Sequence, residues 1–145
     1  SDCPFVDPEI ADKVIQMYFD CQADYARLDL SQFPRGFDIE VFSREALARA
    51  DAESETDQYR EHVTLYMYDH PERFKKTAYS DGSPEWSSYR LTLDTPADWE
   101  VIREVYDGLT SRGQALTFGN ILDFLSQHPE IAERNRQVQQ KHLTI

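Results

Sequence analysis

The chain has 145 residues, 40% of them hydrophobic and 12% aromatic, enough for one domain with a real core and too rich for a disordered segment. Its formal net charge of −12 repels polyanions, which argues against duplex nucleic acid as a partner unless local cations or metal ions intervene. No apolar run approaches the roughly 18–20 residues of a membrane-crossing helix, so no membrane partner is expected.

In chain order, Asp7 reads as a cap and Pro8 as the first turn of a helix with an apolar face of Ile10, Val14, Met17, Tyr18 and Cys21. A polar, turn-like segment follows, with SQFPRG at 31–36. FDIEVFS then alternates like a strand, with Phe37, Ile39 and Val41 on one face, and Ser43 caps a helix over about 44–50. The acidic run ADAESETD reads as a solvated loop or helix end. REHVTLYMYDHPERF is ambiguous: Val63, Leu65 and Met67 alternate, while Tyr59, His62, Tyr66 and Asp69 fit a helix face, and Pro71 ends it either way. SYRLTL reads as a strand with Tyr89, Leu91 and Leu93 on one more buried face.

Thr95 is then an N-cap, Pro96 the first helical residue and Asp98 the acid that completes a capping box. That helix runs to about 109 and buries Trp99, Ile102, Val105, Tyr106 and Leu109. Thr117 caps another, with Ile121, Leu122 and Leu125 inside and His128 and Pro129 at its end. Phe118 and Phe124 read as core, and the tail over 131–140 as polar and helix-prone, anchored by Ile131 and Val138. Strands alternating with helices argue for an α/β layer structure, without internal repeats or a linker across 1–145. Two or three strands are few for that class, and no strand precedes the first helix. The chain therefore reads as one domain that is part of a larger α/β fold.

Cys3 and Cys21 have no CxxC spacing and read as reduced thiols of a cytoplasmic protein; the four histidines are scattered and suggest no zinc site. Asp2 and Asp94 form the strongest candidate pair. Each stands before a proline turn and a helix start, the place where open α/β sheets present carboxylates to ligands. Two hard carboxylates can share a magnesium ion with substrate phosphates, although each alone also fits a helix-start acid favoured by the dipole. Arg35 offers a fork to an anion, Gly36 admits close backbone approach, and Glu40 can receive a hydroxyl; a plain surface turn is the alternative. His62 is a substrate contact or a structural histidine, and Arg90 neutralises a phosphate or pairs with a surface acid. No glycine-rich phosphate loop, GxxxxGK[ST] or GxSxG is present.

The blocks DCPFVDPE, FPRGFDIEVFS, REHVTLYMYDHPERF and YRLTLDTPADWE, in this order and spacing, resemble the cytidylyltransferase-like family of spore-coat polysaccharide biosynthesis. That family is akin to the CMP-Kdo and CMP-sialic acid synthetases, and the resemblance runs over 2–140. It implies a Rossmann-like, GT-A-like three-layer fold and transfer of CMP from CTP to a sugar or sugar acid, in a homodimer. It implies Mg²⁺ held by Asp2 and Asp94, and a sugar side lined by Arg35, Gly36, Glu40, His62 and Arg90. Family members begin with a nucleotide-binding strand and basic loop that this sequence lacks. The chain is therefore expected to be the carboxyl-terminal portion of the fold and inactive alone. The competing expectations are a non-catalytic assembly module and a metal-dependent glycosyltransferase of related fold.

Overall fold

A computed structural model describes residues 2–62 and 64–138, and they fall into two compact units. Val63 of the ambiguous segment, and Gln139, Gln140 and His142 of the tail, lie outside the described residues.

One unit comprises residues 8–29 and 38–81. Helix α1 (Pro8–Asp20) buries Ile10 and Val14, as its 3.6-residue periodicity requires. It packs on a three-stranded sheet of order β2-β1-β3, with β1 Tyr25–Leu28, β2 Glu40–Phe42 and β3 Lys76–Tyr79. Strand β1 pairs antiparallel with β2, placing Arg27 opposite Glu40, and parallel with β3, placing Tyr25 beside Lys76. Side chains alternate across a strand. Tyr25 therefore joins a core of Ala46, Ala50, Tyr66, Met67 and Phe74, while Ala26 and Leu28 are buried on the opposite face. Ser43 Oγ accepts from Ala46 N–H and opens α2 (Arg44–Glu53), as its sequence indicates. The ambiguous segment resolves as two short helices, α3 (Asp57–Glu61) and α4 (Leu65–Asp69).

The other unit comprises residues 1–7, 30–37 and 82–145. Helix α5 (Pro96–Thr110) packs on α6 (Phe118–Gln127) and on the short α7 (Pro129–Ala132). Thr117 Oγ1 accepts from Asn120 N–H at the start of α6, and Asp7 Oδ2 accepts from Phe118 N–H at 2.7 Å. Phe33, Phe37, Trp86 and Phe118 pack edge-on or tilted in one aromatic cluster.

Four sequence expectations fail here. Strands β1 and β3 lie in stretches read as polar or left unassigned, because Arg27 and Lys76 interrupt the apolar alternation. SYRLTL is not a ladder strand: a 3₁₀ helix covers Pro84–Ser88, and the extended residues after it make single bridges, Arg90 to Arg35 and Leu93 to Asp2. Arg90, Leu91 and Thr92 are all buried, so two of the polar positions of its alternation, Arg90 and Thr92, do not face water. On α5, Trp99 and Tyr106 are 53% and 51% exposed, and Asp98 and Val101 take the interior places. The tail is helical only over Pro129–Ala132 and then turns.

Candidate functional site

The DTP turn is built by local capping. Thr95 Oγ1 accepts from Asp98 N–H while the Asp98 carboxylate accepts from Thr95 N–H, and Pro96 supplies the first helical residue. Asp98 is fully buried and is far more than a cap. Its carboxylate also accepts Asp94 N–H at 3.1 Å, Arg90 Nε and Nη2 at 2.9 and 3.1 Å, and Asn135 Nδ2 at 2.9 Å. Burial alone would raise its pKa, but the bonds from Arg90, Asn135 and the Asp94 amide outweigh it and hold the carboxyl below its usual value. Arg90 is raised above its ordinary value, chiefly by the bond to Asp98.

Arg90 is thereby fixed, and its Nη2 reaches on to Asp94 Oδ2 at 3.0 Å. Asp94 keeps 31% of its side chain exposed beside this cation. Asn135 Nδ2 closes the arrangement from the chain's far end, donating also to the Arg90 carbonyl at 2.9 Å. Its Oδ1 is buried without a partner among the described residues, so the amide is held through its donors. Replacing Asn135 by alanine is expected to cost about 1.5–3 kcal/mol, because a donor to a buried charge is lost. Urea unfolding of the variant and the parent chain checks it.

Two further segments border the turn. Leu93 N–H donates to the Asp2 carbonyl at 2.9 Å, bringing the DCP segment beside the residue before Asp94. Leu91 N–H donates to the Arg35 carbonyl at 2.7 Å, and Gly36 follows with φ +108°. A β-carbon on Gly36 would lie 2.4 Å from the Leu91 carbonyl, so only glycine admits this approach. Arg35 is half-buried and forms no ion pair among the described residues. Asp2, Asp94, Arg35, Gly36 and Arg90 thus belong to one unit and are joined by two backbone bridges.

Glu40 and His62 belong to the other unit. The Glu40 carboxylate accepts the Tyr25 hydroxyl at 2.5 Å and the Thr64 hydroxyl at 2.8 Å. Burial first, and then that bond, raise the Tyr25 pKa well above its ordinary value. His62 is half-buried at the end of α3, where its N–H donates to the Gln58 carbonyl.

Among the described residues no group of three or more His, Cys, Asp or Glu side chains is placed to hold a metal ion. The exposed pair Asp2 and Asp94 offers hard oxygen donors on neighbouring backbone segments. A two-carboxylate set fits magnesium, which keeps waters and binds through one or two carboxylates plus phosphates, and does not fit a closed protein cage. Sequence reasoning reached Arg90 and Asp98 but not their mutual bond, and it missed Asn135. The capping-box signal marked Asp98; a lone asparagine in AERNRQ carries no signal of burial.

Comparisons with known proteins cover nearly the whole chain. The cytidylyltransferase family model matches residues 1–136. The spore coat polysaccharide biosynthesis protein SpsF of Bacillus subtilis is 33% identical over 134 residues, covering 90% of this chain and 54% of that protein. An uncharacterized protein of Methanocaldococcus jannaschii is 30% identical over 143 residues, covering 97% and 56% of the two chains. A solved cytidylyltransferase structure from Leptospira borgpetersenii superposes with a TM-score of 0.80 at 26% identity, covering 97% of this chain and 58% of that one. The chain therefore spans a little over half the length of each of these relatives. It belongs to the cytidylyltransferase family.

Proposed function

We propose that this chain carries the metal-binding and sugar-facing residues of a nucleotidyltransferase. It would join CMP from CTP to a sugar or sugar acid and release pyrophosphate, in the biosynthesis of a surface or spore-coat polysaccharide. The fold of the whole enzyme would be the Rossmann-like, GT-A-like three-layer arrangement, with a nucleotide-binding strand and loop outside this chain's share. The observation that carries the reading is the Asp2–Leu93 bridge, which sets the DCP segment beside the DTP turn within a family match over nearly the whole chain.

In this reaction a sugar hydroxyl attacks the α-phosphorus of CTP; a new O–P bond forms, the bond to the pyrophosphate oxygen breaks and the hydroxyl proton is released. Asp2 and Asp94 would hold Mg²⁺, which supplies Lewis-acid stabilisation of phosphate charge when bound. Arg90, fixed by Asp98, keeps a positive charge beside Asp94, and its orientation requires no rearrangement as charge develops. Arg35 offers a second guanidinium to an anionic group, beside the Gly36 backbone. Glu40, oriented by the Tyr25 and Thr64 hydroxyls, would receive a sugar hydroxyl, and His62 would contact the sugar.

A panel of CTP, UTP, GTP and their sugar conjugates, titrated with Mg²⁺, tests the assignment. The nucleoside triphosphates should bind more tightly than their sugar conjugates, and Asp94→Asn should weaken metal-dependent CTP binding about tenfold or more. A preference for nucleotide sugars would instead indicate a glycosyltransferase. The assembly-module reading has one observation of its own, the exposed Trp99 and Tyr106 seven residues apart on α5. It makes Asp94→Asn silent and Trp99→Glu disruptive of self-association in sedimentation, which also tests the homodimer.

A further inference from the structure

The face of the sheet that carries Tyr25 and Glu40 also holds two cations that form no ion pair among the described residues. Arg27 and Lys76 lie on that face by the strand register, Arg27 opposite Glu40 and Lys76 beside Tyr25. Both rest on one aromatic ring: the guanidinium of Arg27 is 4.5 Å and the ammonium of Lys76 4.4 Å from the Tyr68 ring centre. Lys76 Nζ also donates to the Tyr68 carbonyl. Neither cation forms an ion pair among the described residues. The acid best placed to neutralise Arg27 is Glu40, and its two oxygens take the Tyr25 and Thr64 hydroxyls instead.

Tyr25, Arg27, Tyr68, Lys76, Thr77 and Ala78 line a cavity of about 250 Å³, whose lining holds two cations and no carboxylate. In a chain of net charge −12, such a cavity departs from its surroundings. An ammonium and a guanidinium held against a ring lose less side-chain freedom on binding than exposed ones do.

We propose that this cavity is an oxyanion-binding site for a small molecule bearing a phosphate or carboxylate group, with Arg27 and Lys76 as its cations and Tyr68 as the platform that positions them. Tyr25 of this lining also orients Glu40, but the test is independent of the nucleotidyl-transfer reading, since neither metal nor nucleotide enters it.

The test is an amide NMR titration of the chain with inorganic phosphate and, separately, with acetate, and glucose as the neutral control. Saturable shifts centred on Arg27, Tyr68 and Lys76 are expected with at least one anion and none with glucose. Response to phosphate alone assigns a phosphate ligand, to acetate alone a carboxylate, and to both an undiscriminating oxyanion site. Arg27→Gln and Lys76→Gln should each weaken the response about tenfold or more, the loss of one charge-assisted contact. Lys76→Arg, which keeps the charge, should retain it. Thermal unfolding confirms that each variant folds, and Lys76→Gln carries the test if Arg27→Gln does not. Absence of saturation in the folded parent chain, or equal affinity in the glutamine variants, would overturn the proposal.

Discussion

Replacing Asp98 by alanine is expected to cost about 3–5 kcal/mol, among the largest effects of any single change in this chain. The loss is not that of a cap alone, which is about 1 kcal/mol. Asp98 is fully buried, and its removal leaves the Arg90 guanidinium, only 9% exposed, without its closest partner. It also strips acceptors from the Asp94 and Thr95 amides and from Asn135. Replacing both members, Arg90→Met with Asp98→Leu, should recover part of the loss, because the buried guanidinium goes with the carboxylate that neutralises it, while the bared amides remain. Equilibrium unfolding in urea reads both. The same group gives stability a pH dependence of defined sign. Its folded pKa lies below the ordinary 3.8, so the unfolded chain takes up the proton first as pH falls. The contribution is full above about pH 5 and is lost as pH drops through the folded value. The Asp98→Ala variant should show a flatter stability profile below pH 4 than the parent chain.

Gly36→Ala is expected to be comparably severe, at about 2–6 kcal/mol, the sum of backbone strain and steric overlap. At φ +108° an L-residue is strained whatever the space around it. Here the new β-carbon would also meet main-chain atoms, Leu91 C and O at 2.4 Å and Thr92 N at 2.8 Å. Main chain cannot swing aside as a side-chain tip can, so the Arg35–Arg90 bridge must open. Gly113→Ala separates the two causes: φ is +67° but nothing lies within 4 Å, and its cost should stay near 1–2 kcal/mol. A Gly36→Ala variant as stable as Gly113→Ala would contradict the close approach.

The features legible in the sequence are those whose cause is local. Ser43, Thr95 and Thr117 cap helices because a hydroxyl needs only an amide three residues on, and all three hydrogen bonds are present. The apolar periodicity of α1 and α6 likewise names their buried faces. What eluded the sequence depends on partners far along the chain. Arg27 sits in a central strand because the Tyr68 ring receives its charge. Arg90 points inward because Asp98 is buried beneath it, so an arginine in an alternating run marked the interior. Asn135 binds across 45 residues to the Arg90 carbonyl, and nothing near it in sequence foretells that. Of the candidate site, the DCP and DTP aspartates and the PRG turn came from motif order, and the structure adds the network that fixes Arg90 beside Asp94.

We propose that Asp2 and Asp94 together form a metal site serving a nucleotide. Its most direct test is a thermal-unfolding titration of the chain with Mg²⁺ or Mn²⁺, with and without CTP, beside Asp2→Asn and Asp94→Asn. A ligand that binds only the folded state raises the midpoint by mass action, so even a weak site registers at high concentration. A metal-dependent rise, larger with CTP and abolished in both variants, is expected. A flat response in the folded parent chain, or a rise that both variants retain, would contradict it.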